Sequence, residues 1–317
     1  MKIESIMKTE SIEVFLKHEA QKLCFSGFGI CDSGLVGERE SQWLTQWIAE
    51  GFNGSMNYMA NNLEKRLNPD LTTGVKNASV IVLALSYYAD SNEKVLEKAK
   101  YKVARYSHGR NYHNVMRKKL KAFGKIFEVA TGHVLKSYVD TAPVVEKFWA
   151  RRAGLGEIGK HGCLIMPHLG SWVVLAVCFT DLQLKPSESF EKDLCLGCTR
   201  CIDACPTGAL MAPRKIDARK CISYLTVEHK NPFDANTSQW KDWIWGCDIC
   251  QEVCPHNKAV RDGNVPEFVI QPAIIDLMRG KVNIETFESD FEGTSLRRGG
   301  KERIARNIEW TEKFKSD

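Results

Sequence analysis

The sequence predicts an α+β protein in three parts: a mixed α/β front domain, a cysteine-rich module and a short helical C-terminal segment. Two observations predict this order. Apolar patterns of helical and of strand-like period are interspersed over the first half of the chain. Eight of the twelve cysteines then fall between Cys195 and Cys254, which indicates a compact module. We expect the three parts to cover residues 1–185, 186–265 and 266–317.

The front domain is predicted to contain two helices and three buried strands. Apolar residues at helical spacing predict an opening helix at Ile12, Phe15, Leu16 and Leu23. A second helical stripe ends at Gly132 and comprises Met116, Leu120, Phe123, Phe127 and Ala130. Apolar or β-branched runs predict strands within residues 79–88, 134–139 and 172–180. The domain is therefore mixed α and β.

The limits of the module follow from composition. Residues 185–189 combine Pro, Ser and charged residues, as a linker does, and the module is predicted to end near Val265 and Pro266. Beyond it, short helices are predicted from the apolar residues Ile274, Ile275, Leu277, Met278, Ile304 and Ile308. Two such helices would suit one unit of a helical-repeat stack.

The net charge of +5 is mild, but the basic residues are clustered. Residues 98–127 contain ten Lys and Arg and no acid, and a second run holds Arg297, Arg298, Lys301, Arg303 and Arg306. One such run is typical of a solvated helix face, whereas two can hold a phosphate backbone. Because the N-terminus lacks an export-signal pattern and the apolar runs are short, we expect a cytoplasmic protein without a membrane span.

The cysteine spacing is the most specific pattern in the sequence. One run, C-x2-C-x2-C-x3-C-P, is the ferredoxin type that serves two clusters, and consists of Cys195, Cys198, Cys201, Cys205 and Pro206. The last part of a second run follows at Cys247, Cys250, Cys254 and Pro255. Cys221 is the only other cysteine of the module, and it completes a set of eight ligands.

Two [4Fe-4S] clusters follow from this set by the crossing rule, in which the fourth cysteine of a run binds the neighbouring cluster. One cluster takes Cys195, Cys198, Cys201 and Cys254, and the other takes Cys205, Cys221, Cys247 and Cys250. A pair of zinc sites is the alternative, but zinc has no need of the third cysteine or of the Cys-Pro pairs. Since such a module only passes single electrons, bond-breaking chemistry is expected in the front domain.

A G-x-G-x-x-G motif at residues 154–159 suggests dinucleotide binding, but its context argues against it. That fingerprint follows a strand and opens a helix, whereas residues 143–152 look helical and precede the glycines. We predict a loop with close backbone approach instead. The sequence also lacks hydrolase motifs and the D-x-H-x-x-G cobalamin motif.

Four segments resemble the epoxyqueuosine reductase family: YSHGRNYH at 106–113, VDTAPVVEK at 139–147, AGLGEIGK at 153–160 and CISYLT at 221–226. The resemblance extends from about Gly27 to Asn307 and includes Trp245-Gly-Cys-Asp248. It implies a nitroreductase-like front domain that binds cobalamin, two clusters that feed electrons to cobalt, and reduction of epoxyqueuosine to queuosine at the tRNA wobble position. Many members continue into a longer helical-repeat domain, so we expect a looser grip on the tRNA body here.

The resemblance also implies roles for individual residues. Asp140 matches the family's proton donor, while an Asp before a helix is also a common capping residue. The family's cobalamin contacts map onto Arg66, Val103, Asp140, Lys160, Leu164, Ser223, Cys247 and Asp248. Its tRNA contacts map onto His229, Lys230, Arg297, Arg298, Lys301 and Arg303.

The expected partners are a tRNA anticodon stem-loop carrying epoxyqueuosine and a low-potential electron donor, with the enzyme acting as a monomer. Two other functions remain open. A cobalamin reductive dehalogenase would have similar cofactors, but it is usually exported and its substrates need no basic patches. A plain iron–sulfur electron-transfer protein would not bind cobalamin.

Overall fold

The computed structural model describes residues 11–283 and 285–314. Within them the chain forms ten strands: β1 (Gly27–Asp32), β2 (Ser79–Ser86), β3 (Lys102–Val103), β4 (Lys136–Tyr138), β5 (Glu157–Ile158), β6 (Leu164–Ile165), β7 (Val173–Thr180), β8 (Leu210–Ala212), β9 (Lys215–Ile216) and β10 (Trp243–Trp245). The residues outside this range include 1–10, on which the expectation about an export signal depends.

The same residues form fifteen α-helices: α1 (Ile12–Lys22), α2 (Glu38–Ala49), α3 (Asn57–Ala60), α4 (Leu63–Leu67), α5 (Pro69–Thr73), α6 (Asp90–Leu96), α7 (Tyr112–Thr131), α8 (Glu146–Arg152), α9 (Arg200–Asp203), α10 (Ile222–Val227), α11 (Ile249–Glu252), α12 (Pro272–Met278), α13 (Phe287–Asp290), α14 (Ser295–Gly299) and α15 (Lys301–Lys313). No described helix has the length and apolar character needed to cross a membrane.

The front part is built on a four-stranded sheet in the order β1-β2-β7-β4, with every neighbouring pair antiparallel. Strand β2 is buried along its whole length because it lies inside the sheet with a helical layer on each face. The three strands predicted from apolar runs are confirmed as β2, β4 and β7.

Alternate residues of the sheet face different helices, which gives three layers. Ile81, Leu83 and Leu85 share a core with the apolar faces of α1 and α7, whereas Val80 and Val82 share one with α8. Both predicted helices are confirmed, and α7 ends at Gly132 with φ +74°, a left-handed conformation that glycine adopts without strain.

Strand β1 was not predicted from the sequence. Its Gly27 and Gly29 weaken the strand pattern, since glycine is normally depleted in strands. The structure explains both glycines by close packing. A β-carbon on Gly29 would overlap the carbonyl oxygen of Ala153 just after α8, and one on Gly27 would lie 2.6 Å from Met166 Cε.

The C-terminal helices pack against the rest of the chain. Strands β3, from the front part, and β10, from the cysteine module, pair in parallel, and Trp245 and Ile244 share a core with α12, α14 and α15. Residues 185–189 form neither helix nor strand, as expected for a linker, and Ser187 exchanges two hydrogen bonds with the backbone of Ile30. The domain limits at 185 and 265 stay predictions.

Candidate redox and RNA site

The first group of module cysteines combines the three at the start of the first run with the last of the second. Burial raises the thiol pKa of Cys201 and of Cys254, and the neighbouring Cys195 raises both further. Cys198 also acts on Cys254. These mutual effects require the four thiols to lie close together, although Cys254 is far from the others in sequence.

The second group combines Cys205, Cys221, Cys247 and Cys250. Burial raises the thiol pKa of Cys221 and Cys247, and Cys205 acts on both. Burial also raises the pKa of Cys250, and the neighbouring thiols of Cys163, Cys247 and Cys221 raise it further. Among the described residues, no three Cys, His, Asp or Glu side chains converge tightly enough to hold a single metal ion. Cys163, which lies outside both sequence runs, is a further buried thiol near Cys221 and Cys250.

Backbone N–H groups point at several of these sulfurs, and such donors are what a thiolate-bound cluster needs. The Lys160 N–H donates to Cys195 Sγ at 3.3 Å. Three further sulfurs accept hydrogen bonds from backbone N–H groups that follow them in sequence. Cys221 accepts from Ser223 and Tyr224, Cys247 accepts from Ile249, and Cys254 accepts from His256 and Asn257. Eight soft thiol ligands with these donors fit two iron–sulfur clusters.

The side chain of Lys160 also lies at the first cysteine group. Its ammonium donates to the carbonyl oxygens of Leu196 at 2.7 Å and Cys198 at 2.9 Å. Of the other residues mapped as cobalamin contacts, Val103 and Leu164 are fully buried in short strands and Ser223 lies in α10 beside Cys221. Contacts from these positions to a cofactor stay predictions.

Arg105 does not contribute to a positive surface, contrary to the expectation for residues 98–127. Its guanidinium bonds Glu252 at 2.8 Å and Glu93 at 3.1 Å, and its backbone N–H donates to Asp248 Oδ2 at 2.7 Å. Burial raises the pKa of the Asp248 carboxyl to about 6, and the contacts with Arg105 oppose that rise. The sequence could not reveal this, since all three carboxylates lie outside the run.

Asp140 occupies the loop after β4 and faces an opening. Its side chain is 59% exposed, and its φ of +52° is unusual for a residue other than glycine. The Tyr112 hydroxyl donates to Asp140 Oδ2 at 2.8 Å, and His113 Nε2 lies 3.4 Å from the same oxygen. Helix α8 begins only at Glu146 and has Val145 at its N-cap, so Asp140 does not cap it.

Three buried polar atoms near Asp140 have no hydrogen-bond partner among the described residues: Arg66 Nε, Glu146 Oε1 and His113 Nδ1. Arg66 is only 9% exposed; it bonds the carbonyl oxygens of Tyr58 and Val144, but its Nε has no acceptor. Glu146 Oε1 is also unpaired. Burial, together with the negative charge of Asp140, raises the Glu146 pKa to about 7. Unpaired buried polar atoms are rare in folded proteins and fit a site for a large polar cofactor.

Two arginines from distant segments lie near His113, the histidine beside Asp140. Burial lowers the pKa of His113, the Asp140 carboxylate opposes that shift, and Arg298 and Arg117 add to it. Arg298 belongs to α14 and Arg117 to α7, so the C-terminal segment and the long front helix both reach this opening. The arrangement places two positive charges in the neighbourhood of a carboxyl group.

The residues mapped as tRNA contacts divide into exposed and engaged ones. Arg298, Lys301 and Lys230 are exposed. Arg303 bonds the Val227 carbonyl, and Arg297 pairs with Glu288 at 3.1 Å. His229 is half-buried and stacks on Phe233 with ring centroids 5.8 Å apart. The structure therefore gathers all six along α14, α15 and the loop after α10.

Sequence reasoning assigned no role to Tyr112, His113 or Glu146. The available signal was their place within segments 106–113 and 139–147, which carried the family resemblance. Residues 154–156 form a turn and residues 157–158 form β5, so the segment is a loop only in part, but the predicted close backbone approach is confirmed: β-carbons on Gly154 and Gly156 would overlap the carbonyl oxygens of Glu188 and Ile165.

Comparison with family models gives two matches. Residues 194–257 match a "4Fe-4S double cluster binding domain", and residues 66–141 match "Epoxyqueuosine reductase QueG, DUF1730". The first match contains all eight module cysteines, and the second contains Tyr112, His113 and Asp140.

Curated relatives and solved structures give the same family. The epoxyqueuosine reductase of Cyclobacterium marinum is 38% identical over 92% of this chain and 94% of its own, and that of Cellulophaga algicola is 36% identical over 93% and 96%. The crystal structure of an epoxyqueuosine reductase with an epoxyqueuosine-modified tRNA-Tyr stem loop superposes with a TM-score of 0.82 at 28% identity, covering 95% of this chain and 80% of that one. The Streptococcus thermophilus enzyme also gives 0.82, at 27% identity over 95% and 81%.

Proposed function

The chain belongs to the epoxyqueuosine reductase family, and on that basis we propose that it reduces epoxyqueuosine to queuosine in tRNA. The main support for the proposal is that one chain contains both an electron-transfer module and a site with an exposed carboxyl group. A double [4Fe-4S] module follows a front domain whose exposed carboxyl group, Asp140, lies beside His113, and Arg117 and Arg298 lie near that histidine. The module supplies electrons, and the front domain supplies a proton and a phosphate-binding rim.

The eight module cysteines are assigned to the clusters by the crossing rule. Cys195, Cys198, Cys201 and Cys254 hold one cluster, and Cys205, Cys221, Cys247 and Cys250 hold the other. The mutual effects of their thiols support this division. Cobalamin, when bound, supplies a reducing centre that takes up electrons one at a time.

The reaction consumes two electrons and two protons, because the epoxide C–O bonds break, an alkene forms and the oxygen leaves as water. Asp140 donates a proton to the departing oxygen. The Tyr112 hydroxyl, 2.8 Å from Oδ2, fixes the orientation of that carboxyl group. Arg66 and Glu146, each with an unpaired buried atom, hold polar groups of the cofactor beside it.

The remaining cobalamin contacts are assigned to Val103, Lys160, Leu164, Ser223, Cys247 and Asp248 by family resemblance. The tRNA is held by His229, Lys230, Arg297, Arg298, Lys301 and Arg303, of which the exposed members are free to meet phosphates. The enzyme acts as a monomer in the cytoplasm, where its tRNA is, and receives electrons from a low-potential donor. Its three parts divide near residues 185 and 265.

Conversion of a defined substrate tests this function. Anaerobically reconstituted protein with cobalamin and a chemical reductant is incubated with an anticodon stem-loop carrying epoxyqueuosine, and nucleosides are analysed by mass spectrometry. We expect queuosine to appear in proportion to enzyme. Absence of product with both clusters and cobalamin loaded would instead favour a plain electron-transfer protein.

A further inference from the structure

A groove lies along α7, next to the loop that carries Asp140. It has a volume of about 430 Å³ and lies between α7 and the segment around β4. Val139 and Thr141, the two neighbours of Asp140, line one end. The floor is apolar, with Leu120 and Leu135 among its lining residues, and Tyr138 supplies an aromatic ring.

Three cations border this groove in a regular row. Arg117, Lys121 and Lys125 all line it, are exposed, and follow one another at four-residue intervals on α7. That interval places them on one helix face with a rise of about 6 Å per step. Glu128 is the one carboxylate among the described lining residues. The row has no ion-pair partner among the described residues.

The row continues the basic rim of the Asp140 opening. Arg117 follows His113 by one helical turn on α7, and His113 Nε2 lies 3.4 Å from Asp140 Oδ2, so the row begins close to Asp140. Arg298 of α14 also lowers the pKa of His113, so a C-terminal tRNA candidate lies near Asp140 as well. An RNA strand whose modified base enters at Asp140 must leave the opening in both directions.

We propose that the α7 groove binds the RNA strand next to epoxyqueuosine, with phosphates on Arg117, Lys121 and Lys125 and one neighbouring base on the apolar floor. This inference rests on the proposed function. A positive groove with an aromatic and apolar lining is how proteins hold single-stranded RNA, because the cations follow the backbone and the floor accepts any base. A stem-loop held on both sides of the modified base presents that base to Asp140 in one orientation.

Charge reversal on α7 tests the groove with a matched control. Lys121→Glu places a negative charge in the row, whereas Lys118→Glu makes the same change at an exposed position of the same helix outside the groove. Binding of a fluorescent epoxyqueuosine stem-loop is measured by anisotropy across salt concentrations. Iron and cobalamin contents are measured on each variant.

We expect Lys121→Glu to weaken binding about tenfold at low salt and to lower the salt slope by about 1, with Lys118→Glu within about twofold of the unmodified protein. Equal affinities for the two variants would overturn the inference, as would loss of cobalamin from Lys121→Glu with RNA affinity unchanged. Conversion of the stem-loop by the unmodified protein is followed in parallel. Failure of that conversion refutes the proposed function, whereas equal variants with normal conversion refute only the groove.

Discussion

The cysteine module and the Asp140 site are organised in opposite ways along the chain. Seven of the eight module cysteines lie in two short runs, and only Cys221 stands apart. The Asp140 site collects Arg66, Tyr112, Glu146 and Arg298 from separate segments. The module therefore depends on local spacing, and the front site depends on how the whole fold brings its parts together.

The two regions should also differ in how strongly single substitutions affect them. A cluster bonds its ligands directly, so loss of one thiol removes a metal–ligand bond outright. In the front site a hydrogen bond from Tyr112 orients the Asp140 carboxyl group, so changes to the residues around Asp140 should have graded effects. The following predictions test this contrast, from the largest expected effect to the smallest.

Removal of one cluster ligand should have the largest effect. In Cys250→Ala we expect the iron content to fall from about eight to about four per chain and stem-loop conversion to stop, since electrons then lack half of their path. Iron and sulfide analysis with electron paramagnetic resonance measures this. Cys24→Ser, an exposed thiol outside both groups, is the control. Full iron content in Cys250→Ala would remove Cys250 from the ligand set.

Loss of the carboxyl group should abolish turnover without removing cofactors. Asp140→Asn cannot donate the proton, so we expect conversion to fall at least about 100-fold with unchanged iron and cobalamin contents. Asp181→Asn is the matched control, because Asp181 also lies beside a histidine, with His133 Nδ1 at 2.9 Å. Unchanged turnover in Asp140→Asn would contradict the assigned role.

Burial of Glu146 predicts a dependence of stability on pH. Its pKa is about 7 in the folded protein against an ordinary 4.5, so the folded state binds the proton more tightly than the unfolded state. The stability present below pH 4.5 is lost as pH rises through 7, by at most about 3 kcal/mol.

Anaerobic urea unfolding at several pH values measures this loss. Glu146→Gln cannot ionise and should show a flatter dependence between pH 5 and 7, whereas the exposed Glu302→Gln should behave like the unmodified protein. The same slope in all three proteins would show that Glu146 does not carry the effect.

Packing of β1 gives the smallest expected effect. Gly29→Ala pushes a methyl group against the Ala153 carbonyl and should lower the free energy of unfolding by about 1–3 kcal/mol. Gly124→Ala, within α7 and with no atom nearby, should raise it by about 1 kcal/mol instead. A neutral Gly29→Ala would mean that β1 and the segment after α8 pack less closely than described.

The contrast also explains what the sequence alone predicts. Local patterns predicted the two helices, three strands of the sheet and the cysteine runs, because neighbours in sequence determine periodicity and spacing. Strand β1 was missed because the contacts that require its glycines come from Ala153 and Met166, far along the chain. Arg105 was misplaced on the surface because Glu93, Glu252 and Asp248 reach it from other elements.

The residues around Asp140 were hidden for the same reason. Tyr112 and Glu146 come close to Asp140 only because the fold brings together α7, the loop after β4 and α8. No spacing rule relates Tyr112 to Glu146. The only sign in the sequence was that both lie in segments that resemble the family.

The proposed reaction is tested most directly by the wobble nucleoside of tRNA in cells that lack this protein. We expect mass spectrometry to detect accumulated epoxyqueuosine and no queuosine, and expression of the unmodified protein, but not of Asp140→Asn, to restore queuosine. A normal level of queuosine in the cells without the protein would contradict the proposed function.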